Sequence, residues 1–126
     1  MKAYTDLEQS KKLAEILPLE SADMDYIPII NIDGEYSVEV NEWDNEHIID
    51  EGWIPCWSLA ALISVLPLFI EFKGNKYYLR FMKDYVEYAN DEISITGRCL
   101  HTTGNNNLID AAFEMILKLH KLKMLL

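Results

Sequence analysis

Apolar positions are densest between Pro55 and Leu66, where the chain reads Pro-Cys-Trp-Ser-Leu-Ala-Ala-Leu-Ile-Ser-Val-Leu. Apart from the Cys56 thiol, its only polar side chains are Ser58 and Ser64. The run predicts a helix of about three turns. Trp57, Leu59, Leu62, Ile63, Val65 and Leu66 fall all round its axis, and a helix apolar on every side is buried on most of them. Pro55 suits the first helical position and Pro67 ends the helix. This segment is expected to form the centre of the core.

The flanking patterns predict the other elements. Thr5-Asp6-Leu7-Glu8 reads as a capping box. Leu7, Leu13, Ala14, Ile16 and Leu17 then form a helical stripe over Asp6–Leu17, stopped by Pro18. Tyr26–Ile32 and Glu35–Val40 alternate about Asp33-Gly34, as a hairpin does. Pro28 marks the first arm as an edge strand. Asn41–Gly52 is polar and acidic and reads as a loop, in which Trp43 is either a lid on the core, the commoner fate of a large aromatic, or an exposed contact residue. Beyond the central helix, Leu68–Phe72, Tyr77–Met82, Tyr85–Tyr88 and Glu92–Thr96 read as an antiparallel meander of three to four strands. A turn falls in Lys73–Lys76, and Tyr77, Leu79 and Phe81 share the inward face. Gly97–Asn107 reads as a loop. Asn107 caps a last helix near 108–123, whose buried stripe is Leu108, Ala111, Ala112, Met115, Ile116, Leu119 and Leu122. The expected fold is a single α+β domain over 1–126. In it, a mainly antiparallel sheet of about 3–5 strands packs against the helices near 55–66 and 108–123, with a third helix nearby.

Charge narrows the function. The chain has 126 residues and a net charge of −10. From Leu13 to Phe72 there are 13 acidic residues and no Lys or Arg. Such a field repels nucleic acid and anionic membrane surfaces and attracts basic partners. Tyr77, Tyr78, Arg80 and Phe81 could imitate a base-stacking sheet, but no basic patch supports them. The only cysteines, Cys56 and Cys99, form no disulfide framework, which suits a reducing cytoplasm. No signal peptide is expected at the N-terminus. The longest apolar run, Ile54–Ile70, is broken by two prolines and falls short of the roughly 20 residues a membrane span needs.

Three segments carry a resemblance. They are Leu13-Ala14 with Glu20-Ser21-Ala22-Asp23-Met24, Pro55–Leu62 with Leu66-Pro67, and Asn107-Leu108-Ile109-Asp110-Ala111-Ala112-Phe113-Glu114-Met115. As a set they resemble a family of small uncharacterised proteins encoded in gut Bacteroidales genomes, often on prophages or other mobile elements. The resemblance covers most of the chain, with 25–52 as the variable part. It implies a cytoplasmic accessory protein and brings no catalytic residues with it.

Candidate chemistry is sparse. Cys56 would lie at a helix N-terminus, where a thiol pKa falls. Cys-Trp-Ser-Leu-Ala also looks like the nucleophile helix of papain-type enzymes. The residues before it depart from that pattern, however, and the usual distant His and Asn have no room. His101 would be the general base, with Asn105, Asn106 or Asn107 orienting it. A buried structural cysteine is the default reading. Glu42, Asp44, Glu46, His47 and Asp50 cluster in one segment, but their spacing matches no calcium loop. Gly97 and Gly104 match no phosphate-binding pattern. No metal or cofactor is therefore expected. The expected function is non-enzymatic: contact with a protein partner, basic in character, through the acidic segment 33–51. Glu42, Trp43, Asp44, Glu46 and Asp50 would form the contact. A Cys56-dependent hydrolase or transferase is the alternative, and an acidic DNA mimic that inhibits a nucleic-acid-binding protein is another. Homo-oligomerisation is open.

Overall fold

A computed structural model describes residues 2–29, 32–40, 52–90, 98–104 and 107–125. Among them are three α-helices and two antiparallel sheets, an α+β fold. The chain groups into two compact units. One is Ala3–Ala61, and the other is Leu62–Leu126 with the first two residues.

The first unit begins with helix α1, Leu7–Ala14. Its capping box is Asp6 with Gln9, one residue later than the expected Thr5 with Glu8. The Gln9 N–H donates to Asp6 Oδ1 at 2.8 Å, and the Asp6 N–H donates to Gln9 Oε1 at 3.1 Å. Thr5 is buried and its hydroxyl is used elsewhere. After a short 3-10 turn at Leu19–Ser21 come strands β1, Met24–Pro28, and β2, Tyr36–Val40. Their hairpin is longer than the two residues Asp33-Gly34 suggest. The Ile29 N–H donates to the Glu35 carbonyl at 3.0 Å, and the tight turn Ile32–Glu35 lies beyond that bond, with Gly34 at φ +79°.

Strand β3, Ile54–Cys56, pairs with the other side of β1, giving the order β2-β1-β3. The edge position inferred from Pro28 is therefore corrected, because β1 is the central strand. β3 pairs only with Met24–Tyr26, so Pro28 lies past its end, where a missing N–H breaks no bond.

The helix expected near 55–66 is present, but it is shorter and its start is corrected. Pro55 and Cys56 belong to β3, and helix α2 covers only Leu59–Val65. Ser58 marks its start. The Ser58 Oγ accepts the Ala61 N–H at 3.2 Å, as a capping side chain does. The Trp57 main chain is bonded in extended form instead: its carbonyl accepts the Thr5 N–H at 2.9 Å, and its N–H donates to Thr5 Oγ1 at 3.2 Å. Ala61 and Leu62 are buried while Ala60 and Ser64 are exposed, so α2 is covered on one side rather than all round.

In the second unit β4 (Phe69–Phe72), β5 (Asn75–Phe81), β6 (Tyr85–Ala89) and β7 (Arg98–Thr103) form a meander in chain order. Lys73 at φ +52° and Gly74 at φ +81° make the two-residue turn between β4 and β5. Tyr77 turns inward as expected and Leu79 is half-buried, but Phe81 is 44% exposed at the end of β5. The strand expected at Glu92–Thr96 lies outside the described residues. Arg98–Thr103, expected as loop, is instead a full strand against β6. Thr102 explains this: it is buried, and its Oγ1 donates to the Ala111 carbonyl at 2.7 Å. A polar residue thus occupies a core position, where alternation of apolar residues alone does not reveal it.

Helix α3, Leu108–Lys121, packs on β6 and β7. Its cap is the expected one, with Asn107 Oδ1 accepting the Ile109 N–H at 2.9 Å. Ile109, Ala111, Ala112, Phe113, Met115, Ile116 and Leu119 are buried. The Tyr88 hydroxyl donates to the Pro67 carbonyl at 2.7 Å. Gly104 lets the chain turn tightly between β7 and α3. A Cβ there would stand 1.9 Å from the Asn107 carbonyl oxygen and 2.7 Å from the Ala111 nitrogen. Both are main-chain atoms that cannot rotate away. Gly104→Ala is therefore expected to destabilise the protein by about 3 kcal/mol in urea unfolding, the upper range for overpacking. A loss under about 1 kcal/mol would mean that the turn yields freely.

Candidate functional site

The first unit has a buried polar centre at Thr5. Its hydroxyl shares a 2.8 Å hydrogen bond with Ser10 Oγ and contacts Cys56 Sγ at 3.7 Å. The Thr5 carbonyl accepts from the Tyr26 hydroxyl at 2.8 Å and from the Cys56 thiol at 3.5 Å. Tyr26 packs edge-on against Tyr4 and Tyr36. Trp57 Nε1 donates to Ser21 Oγ at 3.0 Å. Each main-chain group that Thr5 binds is one that burial obliges to be satisfied.

Cys56 is fully buried and lies on β3, so it has no helix dipole to lower its pKa. Burial pushes the thiol up, the hydrogen bonds to Thr5 and Ser10 offset only part of this, and the Asp23 and Asp25 carboxylates raise it further. A thiol held in this way is protonated at neutral pH and is a poor nucleophile.

His101 belongs to the second unit, on β7, where its ring lies 4.9 Å from that of Tyr85. Its Nε2 is 4.0 Å from Glu87 Oε1. Glu87 sits between Arg80 on β5 and His101 on β7 in the strand register. The Glu87 side chain is 4% exposed, and its Oε2 accepts from Arg80 Nε at 2.7 Å and Nη2 at 2.6 Å. In this row across three strands, the buried carboxylate is matched by the Arg80 guanidinium. The pair fixes strand register and presents no nucleophile to His101. Of the proposed orienting residues, Asn107 is occupied in capping α3, and Asn105 and Asn106 lie outside the described residues. Glu87 and Arg80 escape a sequence reading because nothing in one chain shows that they face each other.

The contact residues Glu42, Trp43, Asp44, Glu46 and Asp50, with His47, lie outside the described residues. Of the same acidic segment, Asp33, Glu35 and Glu39 are described and exposed. No family model matches the chain, and no curated protein or solved structure is significantly similar to it.

Charge follows the division into units. Ala3–Ala61 holds 14 acidic and 2 basic residues, and the rest of the chain holds 7 and 9. Among the described residues no group of three or more His, Cys, Asp or Glu side chains converges as metal ligands. No described helix is long and apolar enough to cross a membrane.

Asp25 is the unexpected residue. It lies on the central strand β1, opposite Glu39 on β2 and Pro55 on β3. It is 1% exposed, and its Oδ1 has no hydrogen-bond partner among the described residues. Burial raises its pKa to about 6. Sequence reading treats it as one more surface acid, since Met24-Asp25-Tyr26 carries no sign that the middle residue faces inward.

Two measurements follow. Native Cys56 should react with iodoacetamide far more slowly than a free thiol, and should reach the free rate only in denaturant; fast native labelling would reverse this account of the site. Asp25 sets a pH dependence. Its pKa is higher folded than unfolded, so between about pH 4 and pH 6 the native state holds the extra proton. The penalty for the ion is complete above pH 6, at about 3 kcal/mol, and is gone below about pH 4. Asp25→Asn is expected to raise stability at pH 7 by about 2 kcal/mol and to flatten the pH 4–7 profile in urea titrations. An unchanged profile would show that the carboxylate is solvated.

Proposed function

We propose that this protein is a non-enzymatic interaction protein that holds a basic protein partner against its acidic unit. The observation that carries this reading is the charge partition: one unit has seven times as many acids as bases, while the other is close to balance. Random decoration for solubility would spread the charge over both. Within the acidic unit, the hairpin residues Asp33, Glu35 and Glu39 are exposed and available. Glu42, Trp43, Asp44, Glu46 and Asp50 follow them directly in the chain, and this reading assigns them to the same contact. Trp43 is the natural anchor, since aromatic residues at interfaces carry a large share of the binding energy. A cytoplasmic role as an accessory of a mobile element rests on the family resemblance alone. The Cys56-dependent hydrolase has less support, because the thiol is buried and held protonated.

The test compares pull-downs by the wild type and by the combined variant Glu42→Gln, Asp44→Asn, Glu46→Gln and Asp50→Asn. A basic partner should bind the wild type at low salt and be lost steeply as salt rises. The neutralised variant should retain at least about tenfold less. Equal retention by the variant, or binding that salt does not weaken, would remove this reading.

A further inference from the structure

Among the described residues, the second unit has an unpaired sheet edge. In the order β4-β5-β6-β7, β4 ends the sheet. The Leu79 N–H donates to the Leu68 carbonyl at 2.9 Å, and Phe69 lies opposite Tyr78. That phase of the ladder turns the main-chain groups of Leu68, Ile70 and Phe72 toward β5. It turns the N–H and C=O of Phe69 and Glu71 away from the sheet. Large apolar side chains gather at the same edge: Leu68 is 73% exposed, with Phe69 and Phe72 each at 40% or more. A recess of about 370 Å³ is lined by residues 67–71 and Met124.

We propose that this edge joins two copies of the chain, β4 to β4 and antiparallel, with Ile70 on the two-fold axis. The main chain selects this register. It sets Phe69 opposite Glu71 of the second copy, so that all the outward N–H and C=O groups of both copies bond reciprocally. Shifting to Phe69 opposite Phe69 would bring Pro67, which has no N–H, opposite Glu71. Shifting to Glu71 opposite Glu71 would set two carboxylates face to face.

Side chains favour the same register. Lys76 Nζ lies 4.7 Å from the centre of the Phe69 ring. Glu71 of the second copy, placed opposite Phe69, comes up beside that ammonium group. On the other face, Phe72 of one copy falls beside Leu68 of its mate, at the recess lined by Pro67, Leu68, Ile70 and Met124. Each copy thus brings both the aromatic ring and the recess, which is what a self-complementary contact requires.

Analytical ultracentrifugation of the full chain tests this. The wild type should pass from monomer to dimer as its concentration rises. Hydrogen exchange at the Phe69 and Glu71 amides should slow over the same range. Glu71→Pro removes an edge N–H and leaves the ladder to β5 intact, so it should sediment as a monomer with an unchanged far-ultraviolet circular dichroism spectrum. Glu71→Lys keeps the N–H, reverses the charge beside Lys76, and should weaken the dimer at least about tenfold. The second variant decides the matter if the first fails to fold. A wild type that stays monomeric at submillimolar concentration would overturn the proposal. So would a dimer that Glu71→Lys, or a folded Glu71→Pro, leaves undiminished.

Discussion

The main-chain groups of Trp57 are buried and must be bonded, and Thr5 bonds both. Much of the first unit depends on that exchange. It holds Pro55–Trp57 extended, so helix α2 starts only at Leu59. It brings the residues before α1 across to β3, where the isolated bridge between Tyr4 and Ser58 continues the pairing. It also puts the Thr5 carbonyl within reach of Tyr26 and Cys56. Unpaired buried main-chain groups are costly, so a local preference for helix in Pro-Cys-Trp is overruled. The chemistry follows from the backbone. On a strand and under cover, Cys56 is a packing residue, and catalysis loses its best candidate.

Elements with a strong period and a clear cap were legible in the sequence. Helix α3 is the best case, since Asn107 and the apolar stripe from Leu108 to Leu119 both act locally. The meander from β4 to β6 was legible for the same reason, through its turns and its alternation. The failures are tertiary. Thr102 makes β7 look like a loop, because its burial is satisfied by a carbonyl on α3. Pro55 reads as a helix start until the Thr5 bonds are known. Pro28 reads as an edge marker, yet β3 is too short to reach it. Of the site, the acidity of the first half was visible at once. The burial of Asp25 was not, because a carboxylate that faces inward looks the same in a sequence as one that faces water.

Asp25 and the exposed acids belong to one electrostatic problem. A unit with 14 acidic and 2 basic residues repels itself, and that repulsion opposes folding. Burying one more carboxylate, opposite Glu39, adds to the penalty. Such a unit gains stability from anything that neutralises it, whether protons or a basic partner, because a ligand of the native state stabilises that state. The charge therefore links stability to binding. A partner that relieved it would be felt through the whole unit, not only at the residues touched.

The same charge separates the two surfaces. The second unit has 7 acidic and 9 basic residues, so its β4 edge can approach its own copy without a unit-level repulsion, while the acidic unit cannot. The whole chain still carries −10, and two copies repel at long range. Salt screens both effects, with opposite results. It weakens the attraction proposed between the acidic unit and a basic partner. It also weakens the repulsion between copies; within the edge contact it screens only the attraction between Glu71 and Lys76, while the apolar side chains and main-chain hydrogen bonds lose little. Rising salt should therefore release a basic partner and strengthen the β4 contact, so the two surfaces can be told apart in one titration.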